Sequence, residues 1–136
     1  MMNDVAWQLQ VSLVSFLRTS TNMLNLLGSA AVFDEPPRRA ELPYVVVSVR
    51  NGTDWSTSTE EGASFRVLVR IWSDFHGRQQ VLNIASVVEE ELLSANLNLP
   101  DYHLINLRMQ NAETGRESDG RTFLSVLNFR AVTEPI

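Results

Sequence analysis

The residues able to do chemistry are few in this chain, and their spacing does not assemble a reaction centre. His76 and His103 are the only imidazoles. His76 falls in a polar stretch beside Asp74, and no cluster of His, Asp and Glu around it has the spacing that a three- or four-ligand metal centre needs. His103 alternates with apolar neighbours and reads as a half-buried strand residue. Cysteine is absent, which excludes thiol nucleophiles, thiolate metal sites and disulfides. Gly115 and Gly120 flank a turn and do not lead into a helix, so no phosphate-cradling loop is expected. The Gly-x-Ser-x-Gly pattern of a serine nucleophile elbow is missing. Acidic residues occur, but none stand out as a working pair. Glu89, Glu90 and Glu91 read as a solvated helix face. They sit towards a helix C-terminus, where the dipole disfavours them by roughly 0.3–1 kcal/mol. That placement fits either a positive partner, such as an arginine of a neighbouring chain, or pairing within the chain. Catalysis, metals and cofactors are therefore not expected.

Tryptophan and arginine remain. All eleven basic residues are arginine, the side chain better suited to planar, bidentate interface contacts. Coding bias in a GC-rich genome would give the same absence of lysine. Trp72 shares a strand face with Arg66 and Arg70. It can pack under a loop or helix end, or it can anchor an interface, where Trp and Arg are enriched.

Those side chains need a frame. Phe65, Val67, Val69 and Ile71 alternate with Arg66, Leu68, Arg70 and Trp72, which predicts a strand over Phe65–Ser73 with one clearly apolar face. After a polar turn, Asp74–Gly77, the residues Val81, Ile84, Ala85, Val88, Leu92 and Ala95 form one stripe of a helix, Arg78–Ala95. Sheet face and helix stripe should meet, with the other segments fitted around that contact.

Before this pair, Asp4 can cap a helix starting near Val5, with Val5, Leu9, Ser12, Leu13, Phe16 and Leu17 as its stripe. Met23–Leu27 predicts a short second helix closed by Gly28, and Val32-Phe33 a brief extended piece. Pro36-Pro37 marks a surface loop. Tyr44–Arg50 predicts a strand ending at the turn signal Asn51-Gly52. Trp55–Gly62 predicts a mobile connection or extended arm; long connections often carry function. After the second long helix, Tyr102–Gln110 predicts a strand with His103, Ile105, Leu107 and Met109 on one face. Thr114–Gly120 predicts a hairpin connection. Arg121–Thr133 predicts the last strand, with Phe123, Leu127, Phe129 and Ala131 facing one way. The expected fold is α+β, an antiparallel sheet of about four strands with helices packed on one face, in a single domain over residues 1–136.

The net charge of −5 argues against a nucleic-acid-coating protein. No apolar run approaches the roughly 18 residues needed to span a bilayer. No secretory leader pattern opens the chain. A reducing cytoplasm and a released particle are both compatible with this composition.

Several segments together resemble a known family. They are Val32-Phe33-Asp34-Glu35-Pro36-Pro37, Leu42-Pro43-Tyr44-Val45-Val46, Asp54-Trp55-Ser56-Thr57, Ile71-Trp72-Ser73, Gly77-Arg78, Asp119-Gly120-Arg121-Thr122 and Phe129-Arg130-Ala131. In this order they resemble the tail-completion, or tail-terminator, proteins of long-tailed bacteriophages and of phage-like particles, including gene transfer agents. Phe123–Ser125 departs from the pattern, since many relatives carry a histidine and a glycine there. The resemblance implies a structural subunit of a virion or phage-like particle, made in the host cytoplasm. It implies a homo-hexameric ring at the head-proximal end of the tail tube that ends tube growth. The expected partners are further copies of the chain, the tail tube protein, and a neck or head-completion protein. DNA would pass through the lumen without specific binding, and no membrane is involved. The candidate subunit, tube and neck contacts are Trp55, Ser56, Glu60, Glu61, Arg70, Trp72, Arg78, Arg116 and Arg121. The alternatives are a head-tail adaptor or stopper in a neighbouring ring, or a small soluble enzyme.

Overall fold

The structure is a computed structural model that describes residues 2–54, 62–75, 77–97 and 99–136. Among these the chain forms α1 (Met2–Thr19), α2 (Thr21–Leu27), β1 (Val32–Phe33), β2 (Tyr44–Asp54), β3 (Ala63–Ser73), α3 (Arg78–Leu93), β4 (Tyr102–Arg116) and β5 (Phe123–Pro135).

The predicted contact between sheet face and helix stripe sits at the centre. Phe65, Val67, Val69 and Ile71 of β3 are buried, as are Val81, Ile84, Ala85, Val88 and Leu92 of α3. In register, Val69 lies between Val47 of β2 and Leu127 of β5, and Val67 lies beside Phe129. Strand pairing thus lines up apolar positions on one face, and α1 adds Val5, Leu9, Leu13 and Leu17 over it. Each fully buried aliphatic side chain contributes about 1.5–3 kcal/mol. Gly28 closes α2 in the left-handed conformation (φ 75°), its N–H donating to the Leu24 carbonyl, a conformation that disfavours a side chain. All three helices lie on one side, so the sheet's opposite face carries no helix among the described residues.

Among the described residues five strands make the sheet, one more than the expected four or so, in the order β1-β2-β3-β5-β4. The brief piece Val32-Phe33 joins parallel to β2, so the sheet is mixed though mostly antiparallel. Asp4 does not cap α1, which begins two residues earlier. Its carboxylate instead accepts from Gln8 Nε2 at 3.2 Å and from the Tyr102 hydroxyl at 3.3 Å. Asn51-Gly52 does not end β2 but lies inside it, at a register shift between Arg50 and Thr53. Ala95 falls beyond the helix, which closes at Ser94. The β4–β5 turn spans 117–122, because β4 continues to Arg116.

The largest correction concerns β4. Leu104 pairs with Thr133 but Asn106 pairs with Val132, leaving Ile105 as an extra residue; Gln110 is a second one. Each bulge moves the alternation by one position. Tyr102, Leu104, Leu107 and Met109 therefore pack towards the core, and His103 and Ile105 are exposed.

Candidate assembly interface

At one end of the sheet the chain gathers aromatic and charged side chains. The C-terminal end of β3, the start of α3, the end of β4 and the start of β5 converge there. The Trp72 ring lies 5.1 Å from that of Tyr44 at 32°, and Tyr44 lies 6.2 Å from Phe33. These are the offset and tilted geometries that ring quadrupoles favour. Trp72 Nε1 donates to Glu117 Oε1 at 3.3 Å. Arg78 and Arg116 hold their guanidinium carbons 5.1 Å and 5.3 Å from the centre of the Phe123 ring, within cation–π range. Phe123 itself is buried, while both arginines remain exposed. Each exposed guanidinium thus sits over the face of a buried aromatic ring.

Of the sequence-predicted contacts, Trp72, Arg78 and Arg116 lie at this end, Trp72 on one sheet face and the two arginines around Phe123 on the other. Arg70 is half-buried one alternate position from Trp72, and Arg121 lies in the adjoining turn. Trp55, Ser56, Glu60 and Glu61 lie outside the described residues, as does His76. Their anchor points, Asp54 and Ala63, pair across β2 and β3 at the other end of the sheet. At roughly 3.3 Å per residue, the length of β3 separates those anchor points from Trp72 by roughly 30 Å. Among the described candidates, Arg70, Trp72, Arg78, Arg116 and Arg121 lie at the end of the sheet far from Asp54 and Ala63. Tyr44, Glu117 and Phe123 were missed as members of this cluster. Phe123 was legible only as a core residue, because Arg78 arrives from α3 and Arg116 only through the register of β4 on β5. An exposed apolar stripe on α1, Trp7 at 60% exposure and Val11 at 47%, was also passed over. Its signal was present in the four-residue spacing of Trp7 and Val11 beside the core stripe.

The turn that carries Arg121 is held by Asp119. Its Oδ1 accepts from the Arg121 N–H at 2.9 Å and the Thr122 N–H at 2.8 Å, and its Oδ2 accepts from the Thr122 hydroxyl at 2.6 Å. The Thr122 hydroxyl, then the backbone N–H groups of Thr122 and Arg121, hold the carboxyl down from 3.8 to about 2. A folded-state value below the unfolded one means stabilisation that is present above the unfolded value and lost on acidification. We expect the side-chain carboxyl resonance of Asp119 to titrate near 2. The turn should loosen as pH falls from about 4 towards 2. A midpoint near the ordinary aspartate value would contradict the capped turn.

Comparison with known proteins identifies the family. The family described as Tail completion protein gp17 matches residues 11–134. The chain belongs to this family. A chain from the virion of a native gene transfer agent particle superposes with a TM-score of 0.84 at 26% identity, covering 93% of this chain and 94% of that one. The gp17 protein of bacteriophage SPP1 superposes with a TM-score of 0.60 at 18% identity, over 93% of this chain and 89% of that one. At that identity the likeness speaks for the fold alone. No curated protein sequence matches the chain. Family membership makes this a tail completion protein of phage-like tails, a structural component and not an enzyme.

Proposed function

We propose that this tail completion protein forms a homo-hexameric ring at the head-proximal end of the tail tube. There it ends tube growth and offers its second surface to the neck. The observation that carries this reading is the likeness, over nearly the whole of both chains, to a subunit of a gene transfer agent virion. A particle of that kind is the setting we assign to this chain.

The physical arrangement supports it. A terminating ring needs two dissimilar axial surfaces, one for the tube and one for the neck. Asp54 and Ala63, which flank residues 55–61 in the chain, stand at the sheet end opposite Trp72. We assign the end bearing Trp72, Arg78, Arg116 and Arg121 to one axial partner and the Trp55–Glu61 connection to the other. A ring also needs a lateral contact. Among the described residues β4 pairs only with β5, so its outer border is open. Two bulges and the exposed Arg108 interrupt that border, devices that limit indiscriminate strand addition while leaving room for one matched neighbour. DNA would pass through the lumen unheld, since a strongly cationic lining would bind it tightly.

The test is electron microscopy of particles from cells with and without this chain. Without it, tails should run to uncontrolled lengths or fail to join heads, and restoring the chain should restore both. Particles of normal length and attachment from a clean deletion would end the proposal.

A further inference from the structure

The uncovered sheet face holds a row of like charge that the register alone reveals. Arg50 of β2 pairs with Arg66 of β3, Arg66 with Arg130 of β5, and Arg130 with Arg108 of β4. Four arginines thus stand directly opposite one another across four consecutive strands. Adjacent strands lie about 4.8 Å apart, so the row spans roughly 15 Å. All four are exposed. Like charges directly opposite on a sheet repel one another. The flanking rows bring no relief: Ser48, Leu68, Asn128 and Asn111 lie on one side, and Ser64, Val132 and Asn106 on the other. Among the described residues none of the four arginines forms an ion pair with a carboxylate. Between Arg66 and Arg130 lies an open hollow of about 300 Å³, reached also by Ser64, Asn111 and Asn128. Asn128 Oδ1, buried at its edge, has no hydrogen-bond partner among the described residues. With its amide turned, Asn128 would present Nδ2 to an incoming carboxylate.

We infer that this arginine row is the docking surface for the acidic surface of a second copy of the chain, centred on Glu89 and Glu90 of α3. The inference rests on the ring proposed above and adds, beside the β4 border, a charged face contact between neighbouring copies. Charge complementarity selects the occupant. The chain has sixteen acidic residues against eleven arginines. With four arginines committed to the row, the rest of the surface is strongly acidic, which suits another copy and repels nucleic acid. Glu89 and Glu90 are partly or fully exposed near the C-terminus of α3, where the dipole disfavours them. Glu91 is already engaged by the Ser20 hydroxyl and by Asn22 Nδ2 at 3.2 Å. Helix α3 covers the opposite sheet face, so the basic and acidic surfaces belong to opposite layers of one molecule. A contact of basic layer on acidic layer is head-to-tail, the type that closes into rings. Guanidinium forks meet carboxylates bidentately, and the contact should weaken with salt.

The experiment uses two full-length variants, Arg66→Glu/Arg130→Glu and Glu89→Arg/Glu90→Arg, produced singly and together in cells lacking the wild-type chain. Copies per purified particle are counted, and melting curves confirm that each variant folds. Each variant alone should enter particles roughly tenfold less than wild type. Produced together they should restore entry, because complementary surfaces then alternate around the ring. Arg66→Gln/Arg130→Gln should melt no lower than wild type, since it removes repulsion, yet still assemble less, an effect that a merely structural role would not produce. Normal entry of both reversed variants alone, or no rescue on co-production, overturns the inference. So does arginine-dependent binding of a short DNA duplex at physiological salt. Failure of the ring proposal looks different: wild-type particles would then carry no ring of this chain at the tail end.

Discussion

Replacing Phe129 with alanine should remove about 3–5 kcal/mol of folding stability. Phe129 has 0% exposure in the middle of β5. Its register partners are Val67 of β3 and Met109 of β4, so the ring fills the sheet between two strands and beneath the helix layer. The cost has two parts, the lost transfer of the ring from water and the cavity left behind, which a paired sheet flanked on both sides can collapse only in part. A domain of this size has roughly 5–15 kcal/mol in all. The variant should therefore be marginal, while Phe129→Leu, which keeps most of the volume, should lose much less. Urea unfolding checks this: the midpoint should fall with the slope unchanged. A loss below about 1 kcal/mol would mean that the helices do not close over β5 as described.

That the core is so placed was legible because β3, α3 and β5 keep unbroken periods. The alternation of Phe65–Ile71 and the stripe Val81–Leu92 each predict one buried side, and those sides meet. The family, too, was legible from short segments spread through the chain, which the match over residues 11–134 bears out. What failed did so for local reasons. The β4 alternation reads as continuous, yet Ile105 and Gln110 are bulged out, and no side-chain pattern marks a residue that the backbone skips. Asn51-Gly52 tolerates irregular backbone, and the chain uses that tolerance for a shift within a strand instead of a turn. Val32-Phe33 is too short for its period to show, so its pairing with β2 needed the structure. Trp72 is half-buried against Tyr44 and bonded to Glu117 within the chain, the packing reading of the two. The arginine row was invisible for a further reason. Arg50, Arg66, Arg108 and Arg130 are far apart in sequence, and only strand order and register bring them into line.

Replacing Gln10 with leucine should have the second large effect, and it bears on which sheet border is free to meet a neighbour. The β2 border is not open. Val45 N–H donates to the Ala31 carbonyl at 2.9 Å where β1 pairs. Beyond β1, the buried Gln10 side chain of α1 takes over: its Nε2 donates to the Val47 carbonyl at 2.7 Å, and its Oε1 accepts from Val49 N–H at 2.8 Å. Arg18 Nη1, also from α1, donates to the Val32 carbonyl at 3.0 Å. One helix thus serves as the missing strand along this side, which leaves β4 as the border with no such cover among the described residues. Leucine at position 10 would strand a backbone donor and an acceptor, at about 1–3 kcal/mol each. Melting should fall by roughly 10 °C, and the Val49 amide should lose its protection from hydrogen exchange before its neighbours on β3 do. The uncapped stretch of β2 would also become a second place for strand addition, so the variant should self-associate at concentrations where the wild-type chain does not. A Val49 amide that stays protected in the Gln10→Leu protein would show that something other than this side chain seals the border. The two borders of the sheet would then no longer be distinguished in the way that strand addition at β4 alone requires.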